Sequence, residues 1–271
     1  MSRIYPKRAS SRGSSVADHP LYFISCGPGD PDLITVGGLR AIEQSIALLA
    51  PKVYEEGFSA YLSGKEVESP FTMDHQTVVD WVDSRLKRGP VAFLLPGDFS
   101  TFSPFHSFVE HFFDRAVVIP GVSAHAAAAA LLKRSWDIAG VAHTAIITSP
   151  RAITRDGRVS LREYGGEGNT LILYMLNLPI GELVTELLHA YTPETPIAIL
   201  ENIACPGERV TLGTLDDIEA RLDGRDPFGV GSTSSEPTLA LVVVGGALVS
   251  GEKPDMWDYR YEKLWKPREM K

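Results

Sequence analysis

Residues 21–35, LYFISCGPGDPDLIT, decide the fold of this chain. The apolar run from Leu21 to Ile24 is rich in β-favouring side chains, and a loop with two glycines and two prolines follows it closely. This pattern predicts a buried strand that ends in a tight, stiff loop. Because open α/β sheets bind small molecules at the carboxyl ends of their strands, this loop is a candidate ligand site.

The same loop lacks the features of two common nucleotide-binding motifs. The dinucleotide fingerprint requires a third glycine at the position of Asp32, and no Gly-Lys-Ser/Thr of a phosphate-binding loop follows. We therefore set aside NAD and P-loop nucleotides as ligands.

The composition is that of a globular protein of one or two domains, with 271 residues, 44% hydrophobic and 22% charged. A net charge of −8 argues against a nucleic-acid partner, because phosphate contacts need a basic surface. No apolar run is long enough to span a bilayer, and residues 1–20 lack the apolar centre of a secretory signal. We expect a cytoplasmic protein without a membrane partner, in which residues 1–20 form a disordered tail.

Cysteine and histidine spacing gives no sign of a metal centre. The two cysteines, Cys26 and Cys205, are far apart in sequence, so neither a disulfide framework nor a zinc site is indicated. We predict no metal, and for His125 and His143 we expect structural roles rather than acid–base chemistry.

Two more strand–loop units follow in the first half of the chain. The run at 90–95 leads into PGD at 96–98, and Ala116–Ile119 leads into PGVSA at 120–124 and an alanine-rich helix over 124–132. Apolar spacing predicts further helices over Val36–Ala50 and Asp74–Arg88. Three glycine-containing loops at one sheet edge predict a ligand crevice.

The second half also alternates strands and helices, after a charged, glycine-rich segment that we interpret as a junction. We expect two α/β domains, each with a mostly parallel or mixed sheet flanked by helices. The tail carries Trp257, Tyr261 and Trp265 on one helix face, which could dock on the body or on a second subunit. The predicted divisions are an N-terminal α/β domain over 21–150, a linker over 151–168, a C-terminal α/β domain over 169–250 and a tail over 251–271.

Seven segments in order resemble the tetrapyrrole (corrin/porphyrin) methylase family over residues 21–246. They are GPGDPDLIT at 27–35, PGD at 96–98, PGVSA at 120–124, TLILYM at 170–175, PIAILEN at 196–202, ERVTLGTLDDI at 208–218 and ALVVVG at 240–245. The resemblance implies two α/β domains with S-adenosyl-L-methionine (SAM) in the cleft between them, and a homodimer. The departures from the family pattern are Pro96, in place of a usual glycine, and the aromatic Phe99 and Phe102.

The resemblance also implies roles for individual residues. The SAM contacts that it implies are Pro28, Gly97, Asp98, Thr101, Ser123, Ala124, Met175, Ala204 and Ala240. We place Asp30 and Asp98 facing the substrate, as proton acceptors or anchors for ring N–H groups, although each carboxylate could instead accept hydrogen bonds from its own loop.

A tetrapyrrole precursor carries many carboxylates, whereas this chain is acidic overall. Arg151, Arg155 and Arg158 cluster in the junction segment, and a guanidinium can hold a carboxylate with two parallel hydrogen bonds. We therefore expect these arginines to bind substrate, with a solvated linker as the alternative.

The predicted function is a SAM-dependent C-methyltransferase of cobalamin-type biosynthesis that acts on a small-molecule tetrapyrrole. The segment VAHTAIITSPR at 141–151 looks most like the precorrin-4 C11 methylases. Open alternatives are a uroporphyrinogen-III or other precorrin methylase, a SAM methyltransferase with a non-tetrapyrrole acceptor, and a SAM-binding protein without turnover.

Overall fold

The structure is a computed structural model that describes residues 19–150, 161–230, 239–249, 251 and 254–266. It contains two five-stranded sheets, and the chain divides into two compact units. Within the described residues, the first unit comprises 19–25 and 35–120, and the second comprises 26–34 and the chain from 121 onward. Among the described residues, no helix has the length and apolar character needed to cross a membrane.

The first unit is built on a parallel sheet with the strand order β3-β2-β4-β1-β5. Its elements are β1 (Leu21–Ser25), α1 (Val36–Gln44), β2 (Ala47–Leu49), α2 (Lys52–Gly57), α3 (Ser59–Leu62), β3 (Glu66–Glu68), α4 (His75–Leu86), β4 (Val91–Leu95), α5 (His106–His111) and β5 (Ala116–Ile119). Because β1 lies between β4 and β5, the carboxyl ends of these three strands are neighbours, with Ser25 opposite Leu95.

One face of this sheet carries an aromatic core. The rings of Phe23 and Phe93 stack with centroids 4.9 Å apart, and α4 and α5 contribute further buried apolar side chains, among them Val82 and Phe108. The three central strands are buried almost throughout, which explains their continuous apolar runs.

The predicted helix over Val36–Ala50 is wrong at its carboxyl end. The helix ends at Gln44, where Ser45 donates its backbone N–H to Ala41 and its hydroxyl to the same carbonyl. Ala47–Leu49 then forms β2, which pairs with β3 and β4 and is buried on both faces. The apolar residues of the buried strand β2 continue the three- and four-residue spacing of the apolar face of α1. Spacing alone therefore does not show where the helix ends and the strand begins.

The second unit is built on a mixed sheet with the strand order β6-β7-β10-β8-β9. Its elements are α6 (Ala124–Leu132), β6 (Ala142–Thr148), β7 (Gly168–Leu173), α7 (Ile180–Leu187), β8 (Pro196–Glu201), β9 (Arg209–Thr214), α8 (Ile218–Arg221), β10 (Ala240–Val244) and α9 (Pro254–Arg260), which continues as a π-helical turn over Tyr261–Trp265. Only β6 and β7 are parallel, and the other pairs are antiparallel.

Both faces of the second sheet are covered. Leu183 and Leu187 of α7 pack on the face that includes Ile197 and Val244. Ala128 of α6 packs on the opposite face, in one cluster with Ile172, Ala198 and Leu241. The predicted fold class, two α/β units with helices flanking a parallel and a mixed sheet, is confirmed.

The division of the chain differs from the predicted one. Since β6 pairs with β7 and α6 packs on the second sheet, residues 121–150 belong to the second unit and not to the first. The loop 26–34 belongs there as well. Most of the predicted tail over 1–20 and part of the predicted linker over 151–168 lie outside the described residues, namely 1–18 and 151–160. In the C-terminal tail, Trp257 and Trp265 meet edge to face at 5.1 Å and are 63% and 51% exposed.

Candidate active site

One edge of the second sheet gathers several of the residues singled out in the sequence. Strand β10 runs antiparallel to both neighbours, with Val242 opposite Leu173 and Ala240 opposite Glu201. The amino end of β10 therefore lies beside the carboxyl ends of β7 and β8. Ala240 and the turns that follow β7 and β8 share this edge, which we call the loop edge.

The two turns at the loop edge have unusual backbone conformations. Met175 after β7 and Asn202 and Ala204 after β8 all have positive φ, at 53°, 52° and 57°. Such values are uncommon for residues other than glycine. The turn after β8 is fixed by hydrogen bonds, because the Ala204 N–H donates to Glu208 Oε2 at 2.8 Å and the Asn202 N–H donates to the Leu239 carbonyl at 2.8 Å.

The loop 26–34 docks against the turn after β8. A Cβ on Gly29 would lie 2.1 Å from Cys205 Sγ and 2.7 Å from the Ala204 carbonyl oxygen, so only glycine fits there. The Cys205 thiol donates to the carbonyl oxygen of the buried Pro28 at 3.4 Å. This contact places Pro28 next to the turn that contains Ala204.

The thiol of Cys205 is held in its protonated form. Burial raises its pKa above the usual value, and the carboxylates of Glu208 and Asp30 raise that pKa further. A protonated thiol is the donor that the Pro28 carbonyl requires, whereas a thiolate would be the nucleophile. The arrangement therefore favours a structural role for Cys205.

The start of α6 joins this edge through Tyr174, the residue before Met175. Ser123 is the N-cap of α6, and its hydroxyl oxygen accepts the Ala126 N–H at 3.3 Å. The Tyr174 hydroxyl oxygen lies 2.8 Å from the backbone nitrogen of His125 and 3.0 Å from its Nδ1. Ser123 is only 7% exposed. The N-cap of α6 is therefore linked to the turn after β7.

The remaining loop residues lie in the first unit, after β4. Gly97 has a φ of 65°, and apart from its chain neighbours no described residue has an atom within 4 Å of the position that a Cβ would take. The Phe99 N–H donates to Ser25 Oγ at 3.0 Å, which ties this loop to the end of β1. The Thr101 N–H donates to the Asp98 carbonyl oxygen at 3.2 Å, so Asp98 and Thr101 form one turn.

Both candidate catalytic carboxylates accept hydrogen bonds from their own loops. Asp98 Oδ1 accepts the Ser100 N–H at 3.0 Å and also the Ser100 hydroxyl. Asp30 Oδ1 accepts the Asp32 N–H at 2.9 Å and caps a 3₁₀ turn over Pro31–Leu33. These bonds are the ones that the alternative of loop stabilisation requires, and a role toward substrate stays a prediction for each residue.

The structure thus places the predicted cofactor contacts in two groups. Six lie in the second unit and three in the first, and the predicted substrate arginines Arg151, Arg155 and Arg158 are outside the described residues. The second-unit residues are Pro28, Ser123, Ala124, Met175, Ala204 and Ala240, and the first-unit residues are Gly97, Asp98 and Thr101.

Sequence reasoning missed the linking roles of Cys205, Tyr174 and Gly29. Tyr174 stands inside a motif that the sequence analysis quoted, but its partner on another element is not encoded in local spacing. His125, for which a structural role was expected, is that partner. His143 is exposed near the start of β6 and away from the loop edge.

A family model described as Tetrapyrrole (Corrin/Porphyrin) Methylases matches residues 20–219. This chain belongs to that family. The predicted family membership is therefore confirmed.

Relatives with curated names match over most of their length. A precorrin-4 C(11)-methyltransferase of Pseudomonas aeruginosa is 30% identical over 92% of this chain and 99% of its own. A protein of the same name from Mycobacterium tuberculosis is 31% identical over 88% of this chain and 95% of its own.

Solved structures show the same fold. A cobalt precorrin-4 methyltransferase superposes with a TM-score of 0.71 at 22% identity, over 92% of this chain and 100% of that one. A uroporphyrin-III C-methyl transferase from Thermus thermophilus, complexed with S-adenosyl homocysteine, gives 0.63 at 20% identity, over 85% of this chain and 93% of that one.

Proposed function

We propose that this protein is a SAM-dependent C-methyltransferase that methylates precorrin-4 or cobalt-precorrin-4 at C11 in cobalamin-type biosynthesis. The observation that carries this proposal is the end-to-end match to the Pseudomonas aeruginosa precorrin-4 C(11)-methyltransferase, 30% identical over 99% of its length. A cobalt-precorrin-4 C(11)-methyltransferase of Methanocaldococcus jannaschii is 28% identical over 89% of this chain, which supports the same ring position in a cobalt-containing substrate.

The residues present suit SAM as the cofactor. At the loop edge, Met175 and Ala204 have positive φ, and the hydroxyl of Ser123 is buried. In the first unit, Gly97 has no side chain, and the space where one would lie is open among the described residues. When bound, SAM supplies an electrophilic methyl group on a sulfonium. The proposed contacts are Pro28, Gly97, Asp98, Thr101, Ser123, Ala124, Met175, Ala204 and Ala240.

These residues would act by orientation. A carbon–carbon bond to the ring forms as the sulfur–methyl bond breaks, and the electron pair of the broken bond goes to sulfur. A cation-stabilising side chain at the sulfur would favour the ground state more than the transition state, because positive charge is lost there. Rigid loops such as Pro28–Gly29 against Ala204–Cys205 can instead hold the reacting atoms in line, which contributes several kcal/mol in favourable cases.

Asp98 and Asp30 are the proposed polar groups on the substrate side. Asp98→Asn keeps an oxygen that accepts the Ser100 N–H but removes the negative charge, so it separates proton acceptance from loop stabilisation. If Asp98 accepts a proton, we expect kcat to fall by about 10²-fold or more with unchanged thermal stability. An unchanged kcat in Asp98→Asn would contradict proton acceptance and leave loop stabilisation as the only role of Asp98. Asp30→Asn tests Asp30 in the same way.

We also propose that Arg151, Arg155 and Arg158 bind substrate carboxylates. Charge reversal of Arg155 and Arg158 should raise KM for the tetrapyrrole and leave the affinity for SAM unchanged. A substrate affinity equal to that of the wild-type protein would contradict the proposed binding of substrate carboxylates by these arginines.

The choice of acceptor is tested with a panel of ring precursors. Purified protein is incubated with SAM and precorrin-4, cobalt-precorrin-4 or uroporphyrinogen III, and the products are read by mass spectrometry. We expect one added methyl on a precorrin-4 and none on uroporphyrinogen III. The reverse would favour the second candidate, because a uroporphyrinogen-III C-methyltransferase of Priestia megaterium is 26% identical over 73% of this chain.

We propose a homodimer in the cytoplasm, without nucleic-acid or membrane partners. Support for self-association comes from α6, in which every residue except His125 is apolar and Leu131 is 37% exposed. Neither Cys26 nor Cys205 is in a disulfide, which suits a reducing compartment. Sedimentation equilibrium decides the oligomeric state, and a monomer at micromolar concentration would contradict the dimer.

A further inference from the structure

We propose that Phe102, together with Phe71, contacts the conjugated ring of the methyl acceptor at the carboxyl edge of the first sheet. The inference rests on the proposed function, since it takes a tetrapyrrole as the acceptor. It goes beyond that function because it assigns residues to the ring itself, whereas the residues proposed above bind the cofactor, the ring N–H groups or the substrate carboxylates.

The backbone of Phe102 is the first observation. Its φ of 52° lies in the left-handed region, which makes a bulky residue an outlier. Among the described residues, six other than glycine have positive φ, and two of these, Lys133 and Asp223, stand at helix ends where this conformation is common. The other four, Phe102 among them, follow β4, β7 or β8 in turns that also hold proposed cofactor contacts. Such backbone costs free energy and clusters at binding sites, so it indicates a function for Phe102.

The exposure of the Phe102 ring is the second observation. The turn after β4 carries two phenylalanines, of which Phe99 packs against the core of the first unit. Phe102 is 44% exposed and lies outside the core cluster that the described residues of this unit form. The turn itself is anchored, because the Phe99 N–H donates to Ser25 Oγ at the end of β1. An anchored turn therefore holds the Phe102 ring at the surface.

A second exposed ring lies at the same edge of the first sheet. Phe71 stands in the 3₁₀ turn Pro70–Thr72, just after β3, and is 62% exposed. Because β3, β2 and β4 are parallel, the turns after β3 and β4 lie at one edge. The Phe71 ring packs on the ring of Phe105, with centroids 5.8 Å apart, and Phe105 follows Phe102 by three residues. Exposed aromatic side chains from two separate turns therefore share this edge.

The chemistry that such a surface fits is a planar, conjugated and largely apolar group. The proposed reaction offers two of these, the ring of the tetrapyrrole and the adenine of SAM. We assign the acceptor ring for two reasons. A phenylalanine side chain makes no hydrogen bonds to the polar edge of an adenine, and rings on two separate turns suit the broader of the two groups.

Phe102→Asn tests the assignment, because asparagine tolerates left-handed backbone but lacks the ring. Binding is measured with uroporphyrin III, a flat tetrapyrrole used as a probe of ring contact, from the change in its fluorescence. Binding of S-adenosyl homocysteine is measured by calorimetry. We expect about tenfold weaker binding of uroporphyrin III and less than about twofold change for S-adenosyl homocysteine. Phe102→Tyr, which keeps the ring, should bind both ligands as the wild-type protein does.

Phe113→Asn is the matched control. Phe113 is 70% exposed and precedes β5, so it lies at the opposite edge of the parallel sheet, and we expect wild-type affinities. Equal affinities of Phe102→Asn and the wild-type protein for uroporphyrin III would overturn the proposal, as would failure of the wild-type protein to bind it. A loss confined to S-adenosyl homocysteine would also overturn it and would assign the ring to adenine.

Thermal unfolding separates ring binding from a structural role. Relief of the left-handed backbone offsets the lost packing of a half-exposed ring, so we expect the melting temperature of Phe102→Asn within about 3 °C of the wild-type value. A lower melting temperature with equal loss of affinity for both ligands would overturn the proposal.

Methyl transfer distinguishes this inference from the proposed function. In Phe102→Asn the KM for precorrin-4 should rise about tenfold. If the wild-type protein leaves precorrin-4 unmethylated while its binding of uroporphyrin III still depends on Phe102, the proposed function fails and the aromatic contact stands. If precorrin-4 is methylated with an unchanged KM in Phe102→Asn, the proposed function stands and the aromatic contact fails.

Discussion

At the scale of single residues, close approach between loops decides which side chains are allowed. Gly29 faces both the Cys205 sulfur and the Ala204 carbonyl oxygen. The two loops can approach this closely because glycine has no Cβ to clash with these atoms. The sequence predicted a tight loop at 26–32 from its glycines and prolines. It could not predict which glycine faces another segment, because the partner lies 175 positions further along the chain.

Gly29→Ala tests this contact. The added methyl would lie 2.1 Å from Cys205 Sγ, so one loop must move. We expect a loss of about 1–3 kcal/mol in the free energy of unfolding, measured by urea denaturation. Gly251→Ala is the matched control, since among the described residues none has an atom within 4 Å of its Cβ position. A stability equal to that of the control would contradict the observed loop contact.

Tyr191 gives a pH prediction at the same scale. Burial raises the pKa of its phenol to about 12, from a usual value of 10.0. Because the pKa is higher in the folded than in the unfolded state, the neutral phenol favours folding below about pH 10, and this contribution is lost as pH rises toward about 12. Tyr191→Phe should therefore show a smaller loss of stability between pH 10 and 12 than the wild-type protein. Parallel curves for the two proteins in thermal unfolding would contradict this.

At the scale of elements, caps and burial explain where the sequence predictions held and where they failed. The helix predicted over 124–132 has those bounds, since Ser123 caps it and the alanines favour helix. The helix predicted over 36–50 failed because its apolar spacing continues into β2. Only pairing with β3 and β4, which local periodicity does not report, makes that segment a strand.

The cap of α1 offers an element-scale prediction. Thr35 Oγ1 accepts the Gly38 N–H at 3.1 Å and lies 3.5 Å from the Pro120 carbonyl oxygen. Thr35→Ala should lower the free energy of unfolding by about 1 kcal/mol, whereas Thr35→Ser, which keeps the hydroxyl, should lose much less. Equal loss in both variants would show that the methyl group rather than the cap matters.

At the scale of the whole molecule, the sequence predicted two α/β units but not where the chain passes from one to the other. The composition changes in the charged, glycine-rich segment, so the linker was predicted over 151–168. The structural division falls at Pro120, because β6 pairs with a strand that lies beyond the charged segment. Residues 26–34 also belong to the second unit although they directly follow a strand of the first, which no local pattern indicates.

The candidate site was predictable to the extent that it consists of loops at strand ends. The positions of Ala240, Met175 and Ala204 follow from a resemblance to a family, and the antiparallel register of β10 explains physically why they share an edge. The hydrogen bonds that join Tyr174 to His125 were not predictable, because they depend on side-chain directions set by packing.

The central claim is that the loop edge of this protein holds SAM for methyl transfer. Calorimetric titration of the purified wild-type protein with S-adenosyl homocysteine tests it most directly. The account predicts saturable binding of one ligand per chain, which weakens when Gly29 is replaced by alanine. An absence of any binding heat, with neither SAM nor S-adenosyl homocysteine retained in equilibrium dialysis, would contradict it.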